Sequence, residues 1–362
     1  MNLHLMQKRL LASIVGGFPK WFLNNIEGIK FLSALQKFVV GKTFSQNINL
    51  FGSFGGSARW FGGVLAPNGK IFAIPGTSTS ILEIDPETNN TDLFGSFSGN
   101  EKWFGGVLAP NGKIFAIPAN STQILEIDPE TRTTTLFGSF GSSSYKWMGG
   151  VLAPNGKIFA IPFNSTQILE IDPETRTTTL FGNLGESAKW YGGVLAPNGK
   201  IFAIPFNSTQ ILEIDPETRT TTLFGSFSGS AKWAGGGLAP NGKIFGIPRQ
   251  STNILEIDPE TRTTTLFGSV GSGDKWIGGV LAPNNKIYGI PANSRSVLEI
   301  DPETRTTTLF GSLLGNYKWF GGVLAPNGKI FGMPTFSDQI LEIGLPQEIP
   351  ADMVLSRYLN KF

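Results

Sequence analysis

The chain has 362 residues, of which 40% are hydrophobic, and a formal net charge of +2 at neutral pH. This length is sufficient for a large core, and the near-neutral charge argues against a nucleic-acid partner. The absence of cysteine excludes disulfides and thiolate metal sites. The single histidine, His4, lies outside the repeats described below, so the repeats contain no histidine-based zinc or acid–base site.

Residues 1–46 precede the repeats and contain one acidic residue, Glu27. In residues 30–39, KFLSALQKFV, a helical period places Phe31, Leu35 and Phe38 on one side and polar residues on the other. Because so short a helix is marginal alone in water, we predict that it packs on a protein partner as an anchoring helix. Peripheral membrane contact through this helix is the alternative.

The chain start is basic and poor in acid, which is a weak organellar targeting signal. The apolar run LLASIVGGF that follows Lys8 and Arg9 is too short to span a bilayer. The sequence leaves the compartment open.

A near-identical unit then recurs, each copy containing one tryptophan. These tryptophans are Trp60, Trp103, Trp147, Trp190, Trp233, Trp276 and Trp319. Their spacing is 43 residues, or 44 in one case, and a period in the low forties is typical of a four-stranded propeller blade.

Each unit predicts four short strands separated by turns. In the second unit these are residues 104–109, 113–118, 124–128 and 134–139. The turn Ala109-Pro110-Asn111-Gly112 has proline where φ is preset and glycine where a positive φ is needed, and the sixth copy has Asn285 in place of that glycine.

The count of fourth strands predicts how the ring closes. The run beginning at Leu50 precedes the first repeat tryptophan, whereas the last unit ends at Ile343 without a fourth strand. We therefore predict an all-β, seven-bladed β-propeller over residues 47–344, in which the N-terminal strand completes the last blade in a three-plus-one closure. Residues 345–362 are predicted to be a tail with a short helix.

The turns of the units sort to two faces of such a propeller. The constant face carries the APNGK and DPETRTT turns, which hardly change between copies. The variable face carries the connections from fourth to first strand and from second to third strand, which differ between copies. Because binding residues favour loops on a rigid scaffold, we predict that the variable face binds a ligand or partner; drift of solvent loops is the alternative.

The tryptophans and the basic residue before each are candidates for a ligand or partner surface, with Lys102, Lys146 and Lys189 as examples. Such a ring could stack sugars. The alternative, which we favour, is that each tryptophan wedges between adjacent blades and buries a large apolar area.

A second recurring pair is Glu126 and Asp128, two carboxylates on one strand face that could bind a cation or act as acid and base. The alternative, which we favour, is that the aspartate caps its turn and the glutamate pairs with a strand neighbour, such as the Arg132-type residue or a threonine hydroxyl. Dinucleotide, phosphate-loop and nucleophile-elbow motifs are absent. We predict no catalytic residue, no cofactor and no metal site.

The repeat, GGVLAPNGKIFAIP followed by ILEIDPETRTTTLFG, resembles the NHL-like and YVTN-like propellers, and uncharacterised GGVLAPNGK-repeat propellers of protists, bacteria and large DNA viruses. Streptogramin lyases are similar in having IDP-type repeats, but the resemblance implies a chemistry of histidine and metal that these repeats do not match. We predict a non-enzymatic propeller that acts as a protein-interaction scaffold within a larger assembly. The alternatives are a lectin-like propeller that binds carbohydrate and a metal-dependent lyase or lactonase.

Overall fold

The computed structural model describes residues 46–55, 59–185 and 189–345, and these residues form seven sheets of four antiparallel strands. A first strand, β1 (Asn47–Phe51), precedes the repeats. The first blade contains β2 (Trp60–Leu65), β3 (Ile71–Pro75), β4 (Ile81–Ile84) and β5 (Thr91–Phe94). The second contains β6 (Trp103–Leu108), β7 (Ile114–Pro118), β8 (Ile124–Asp128) and β9 (Thr133–Phe137).

The remaining blades repeat this order of strands. The third contains β10 (Trp147–Leu152), β11 (Ile158–Pro162), β12 (Ile168–Ile171) and β13 (Thr178–Phe181). The fourth contains β14 (Trp190–Leu195), β15 (Ile201–Pro205), β16 (Ile211–Asp215) and β17 (Thr220–Phe224). The fifth contains β18 (Trp233–Leu238), β19 (Ile244–Pro248), β20 (Ile254–Asp258) and β21 (Thr263–Phe267). The sixth contains β22 (Trp276–Leu281), β23 (Ile287–Pro291), β24 (Val297–Asp301) and β25 (Thr306–Phe310). The seventh contains β26 (Trp319–Leu324), β27 (Ile330–Pro334) and β28 (Ile340–Gly344).

The predicted closure is confirmed. Strand β1 pairs antiparallel with β28, with Asn47 opposite Gly344 and Phe51 opposite Ile340, so that the N-terminal strand is the outer strand of the seventh blade. A side-chain contact also links the last blade to the first, because the Asn327 amide donates to the carbonyl of Pro86 at 2.7 Å.

The core lies between neighbouring blades. Phe159 and Ile161 of the third blade pack with Ile201 and Leu212 of the fourth, and all four side chains are fully buried. Two blade surfaces bury each other in this way all around the ring, which is why one repeat is not stable alone.

The centre of the ring is a narrow waist of glycines. The first glycine after each tryptophan has a positive φ, and its backbone contacts the equivalent glycine of the next blade. A Cβ added at Gly278 would lie 2.9 Å from the Cα of Gly321, and one added at Gly321 would lie 3.3 Å from the Cα of Gly62. Only glycine permits this approach of backbone to backbone together with this φ.

The turn prediction is confirmed at the two residues that require the left-handed region. Gly112 has a φ of 78°, and Asn285, which replaces the glycine in the sixth blade, has a φ of 61°. The predicted helix with Phe31, Leu35 and Phe38 and the predicted C-terminal helix lie outside the described residues. Within the described residues no helix is long and apolar enough to cross a membrane.

Candidate interaction site on the variable face

A β-bulge near the start of every inner strand builds the candidate site. In the second blade Trp103 lies opposite Pro118 and Gly106 opposite Ala116, so that Phe104 and Gly105 together face a single residue of β7. A bulge of this kind re-aims the side chain that it contains. The bulge residues of the seven blades are Phe61, Phe104, Met148, Tyr191, Ala234, Ile277 and Phe320.

These bulge residues converge from different blades at the variable-face end of the ring. The rings of Phe61 and Phe104 stack with centroids 4.8 Å apart, and those of Phe61 and Phe320 with centroids 5.7 Å apart. Tyr191 meets Phe104 edge-on at 5.2 Å across the ring. We call the bulge residues together with Phe163 and Phe206 the axial cluster; Phe163 and Phe206 follow the prolines of β11 and β15 and lie 5.6 Å apart.

A charged group borders the axial cluster on the side of the fifth and sixth blades. The Arg249 guanidinium lies over the Phe206 ring at 5.2 Å and pairs with Asp274 at 3.2 Å. The Gln250 amide donates to the other carboxylate oxygen of Asp274 at 2.8 Å. The small Ala234 occupies the bulge of the blade that carries Arg249 and is fully buried in the axial cluster.

Two tyrosines next to the axial cluster have backbone conformations that side chains rarely adopt. Tyr145 has a φ of 52° and Tyr317 a φ of 50°. An asparagine holds each one: the Tyr145 N–H donates to Asn120 at 2.7 Å and the Tyr317 N–H to Asn293 at 2.5 Å. These bonds fix the tyrosines at the edge of the site.

The Tyr145 hydroxyl donates to the carboxylate of Glu101 on the preceding blade. Burial and this carboxylate raise the pKa of Tyr145 to about 12, so the phenol stays protonated and keeps donating at neutral pH.

The predicted tryptophan surface needs a correction. All seven repeat tryptophans are buried, with exposed fractions of 1–2%. Each indole N–H donates to a backbone carbonyl of its own blade, as Trp190 does to Gln210 at 2.8 Å, and Trp103 packs edge-on against Phe97. The tryptophans are therefore wedges in the core, and their rings do not form a platform for a ligand.

The lysines that precede them are also buried, because they join neighbouring blades. Lys102 is 4% exposed, and its ammonium donates to the carbonyls of Gly76, Ser78 and Gly99 at 2.7–2.9 Å. Lys146 is placed in the same way, and Lys189 donates to Ser165 of the third blade. Burial lowers the pKa of Lys102 to about 8, which leaves the ammonium charged at neutral pH.

The repeated glutamates lie toward the constant face and hold adjacent blades together. Glu170 is 3% exposed and accepts from Lys157 of its own blade at 2.8 Å and from the guanidinium of Arg219 of the next blade at 2.6 and 3.0 Å. The hydrogen bonds from Arg219 hold the pKa of Glu170 below its usual range. Asp128 caps its turn by accepting from the N–H groups of Glu130 and Thr131, so the favoured structural interpretation of this pair is confirmed.

Two substitutions keep this network where the arginine is missing from the repeat. Asn89 replaces it in the first blade and donates to Glu342 of the seventh blade at 2.9 Å. The seventh blade lacks the DPETRT turn. In the sixth blade Tyr288, which stands where all six other copies have phenylalanine, donates its hydroxyl to Glu299 at 2.8 Å.

Within the described residues no group of three or more histidine, aspartate or glutamate side chains is arranged to hold a metal ion. The arginine–glutamate pairs thus lie toward the constant face, and the aromatic residues of the axial cluster lie at the variable face.

No protein family and no curated protein matches the chain by sequence. Its structure is similar to virginiamycin B lyase from Staphylococcus aureus, with a TM-score of 0.73 at 12% identity over 83% of this chain and 100% of that one. It is also similar to the extracellular domain of the putative hybrid two component system BT4673 from B. thetaiotaomicron, with a TM-score of 0.64 at 11% identity over 84% of this chain and 43% of that one. For U3-55K the TM-score is 0.65 at 10% identity, over 83% of this chain and 98% of that one.

These likenesses show the class of the protein, a seven-bladed β-propeller made of tandem repeats, consistent with the NHL-like and YVTN-like propellers that its sequence resembles. Propellers of this shape include an enzyme and proteins that are not described as enzymes, so the fold leaves the activity open.

Sequence reasoning missed the axial cluster. The signal was present, because the residue between each tryptophan and its Gly-Gly pair is one of five types among the seven blades while both neighbours stay constant.

Proposed function

We propose that this protein is a non-enzymatic binding module that recognises a protein partner through the variable face, centred on the axial cluster. One observation carries the proposal. In seven nearly identical blades, the bulge position at the axis on this face carries five different residue types, while the tryptophan before it and the glycine after it do not change.

Packing supports this interpretation over drift of solvent loops. Tyr191, Phe206 and Ile277 are 2–8% exposed and interlock with residues of other blades. A substitution there must fit its neighbours, so the differences between blades build one asymmetric surface. Phe104, Phe163 and Tyr145 are half-buried, and such aromatic side chains are enriched at the centres of protein interfaces.

The lectin-like alternative relied on repeated tryptophan platforms, and the burial of these residues does not support it. The metal-dependent alternative relied on the Glu126 carboxylate, which accepts from Lys113 and Arg176. A protein partner, whose apolar side chains can pack on a filled aromatic surface, fits the axial cluster better.

The anchoring role of residues 1–46 is part of the proposal. Asn47, the first residue after this segment, pairs with Gly344 at the constant-face end of the seventh blade. A deletion of residues 1–44 spares the closing strand β1. The anchoring role fails if this deletion leaves every partner contact intact.

The experiment is affinity purification of the C-terminally tagged full chain from its own cells, with quantitative mass spectrometry. The test protein is the double variant Phe104→Ala/Phe163→Ala. Both changes introduce residues that other blades carry at the same positions, Ala234 for Phe104 and Ala119 for Phe163. The matched control is Leu180→Thr on an outer strand, where the leucine is 45% exposed. We expect stoichiometric partners with the wild type and the control, and their loss with the double variant. Equal recovery from all three proteins would refute the proposal.

A further inference from the structure

The exposed large apolar side chains of the described residues fall into two groups. The first is a leucine on the outer strand of every blade, Leu50, Leu93, Leu136, Leu180, Leu223, Leu266 and Leu309. The second consists of Leu314, Tyr317 and Phe336, which are 73%, 37% and 47% exposed. We call this second group the blade-seven patch, because all three residues lie in the variable-face loops that flank the first two strands of that blade.

The fold does not require these apolar residues. At the position of Leu314 the other blades have glycine or serine, as in Ser228 and Gly271. At the position of Phe336 they have threonine, asparagine or glutamine, as in Asn293. At these two positions six copies thus have small or polar residues, whereas the seventh exposes apolar ones.

The blade-seven patch is held in place and is continuous with the axial cluster. The Tyr317 ring lies 6.0 Å from Phe336 and 6.4 Å from Phe320 of the axial cluster. Its hydroxyl donates to Asp274 at 3.2 Å, and its backbone is fixed by Asn293. Because these contacts already order the aromatic side chains, little side-chain entropy is lost when another surface packs against them.

A charge of each sign flanks the patch, and both charges are again departures from the repeat. The position has threonine in the first five blades, Arg295 in the sixth and Asp338 in the seventh. Arg295 is exposed, and its carbonyl accepts the N–H of Leu313 beside Leu314 at 2.7 Å. The Asp338 side chain is 70% exposed although one of its oxygens pairs with Arg59 at 2.8 Å.

Around the rim of the variable face the order is therefore cation, apolar patch, anion. A two-fold rotation about the patch places the apolar residues of one copy on those of the other and brings Arg295 of each copy to Asp338 of the other. Such a self-complementary surface is what an isologous contact requires.

We propose that the blade-seven patch docks onto a second copy of this chain, giving a two-fold symmetric dimer joined at the blade-seven rim of each variable face. The inference goes beyond the proposed function and does not rest on it, since it needs no other protein. Stable dimer contacts cover roughly 800 Å² on each partner, so the contact extends from the patch along the neighbouring loops of that rim.

The test is sedimentation equilibrium of the purified full chain over a range of concentrations. The variant Leu314→Ser/Phe336→Asn carries residues that other blades have at these positions, and the control is Leu309→Thr, which removes an equally apolar side chain that is 51% exposed on the outer strand. We expect the wild type and the control to dimerise and the patch variant to dissociate at least about tenfold more readily. A wild type that stays monomeric, or a patch variant that dimerises like the wild type, would overturn the proposal.

A charge exchange tests the geometry. Arg295→Asp places like charges against Asp338 of the other copy and is expected to weaken the dimer, whereas Arg295→Lys keeps the positive charge and is expected to preserve it. Circular dichroism melts of each variant verify the fold. If Arg295→Asp leaves dimerisation unchanged, or if Arg295→Lys weakens it as much as Arg295→Asp while its fold is intact, the two-fold arrangement is wrong. Because no partner is present, failure here leaves the affinity-purification test of the proposed function unaffected.

Discussion

The glycine waist yields a sharp prediction about stability. Gly278 combines a φ of 85° with a neighbouring backbone so close that an added Cβ would lie 2.9 Å from the Cα of Gly321. The left-handed conformation costs a non-glycine residue about 1–2 kcal/mol. Overpacking against backbone that cannot rotate away adds roughly 1–3 kcal/mol. We therefore expect Gly278→Ala to lower the free energy of unfolding by about 2–5 kcal/mol.

The chain itself offers matched controls for the two effects. Gly112 has a φ of 78°, and a Cβ added there meets no atom within 4 Å, so Gly112→Ala carries the conformational cost alone, about 1–2 kcal/mol. Gly112→Asn copies Asn285 of the sixth blade and should cost still less. Urea unfolding followed by tryptophan fluorescence gives the three free energies. If Gly278→Ala is no more destabilising than Gly112→Ala, the backbones of Gly278 and Gly321 do not approach each other as closely as described.

Three further predictions concern the contacts between blades. Trp190→Ala should destabilise by about 3–5 kcal/mol because the side chain is 2% exposed, whereas Leu180→Thr should change stability by about 0.5 kcal/mol or less; equal urea midpoints would contradict the wedge. Glu170→Gln should lower the free energy of unfolding by about 1 kcal/mol, and adding Arg219→Ala to this variant should lower it no further. Additive losses in a double-mutant cycle would disprove the interaction between Glu170 and Arg219. Because the pKa of Glu170 is lowered in the folded state, its contribution is complete above the ordinary glutamate pKa of about 4.3 and is lost as the pH falls below it. Urea unfolding at a series of pH values should therefore show a shallower acid loss in Glu170→Gln, and an unchanged slope would refute the linkage.

Much of the fold could be predicted because local signals agree with it. The tryptophan period predicts the four-stranded blade, and the unmatched N-terminal strand predicts the three-plus-one closure. The Pro-Asn-Gly sequence predicts a turn with a positive φ that glycine or asparagine can adopt. The glutamate pairing could be predicted in kind, since a buried carboxylate needs a cation. Its partner could not be fixed, because Arg219 and Glu170 lie 49 positions apart and meet only across two packed blades.

The site was harder to predict because it arises from a bulge and from contacts across the axis. The sequence Trp103-Phe104-Gly105-Gly106 resembles the start of an ordinary strand. Nothing in it shows that a bulge changes the direction of the Phe104 side chain. The lysine before each tryptophan resembles a surface residue. The burial of Lys102, for example, depends on three backbone carbonyls. Two of them, those of Gly76 and Ser78, belong to the preceding blade.

We propose that the variable face, and not the constant face, contacts the partner. The direct measurement is photo-cross-linking of the tagged full chain in its own cells, with a benzophenone amino acid placed at Phe163 in the axial cluster or at Glu174 in an exposed constant-face turn. We expect a cross-linked partner band with the photoprobe at Phe163 and none with the photoprobe at Glu174. A band with the photoprobe at Glu174 and none with the photoprobe at Phe163 would contradict it.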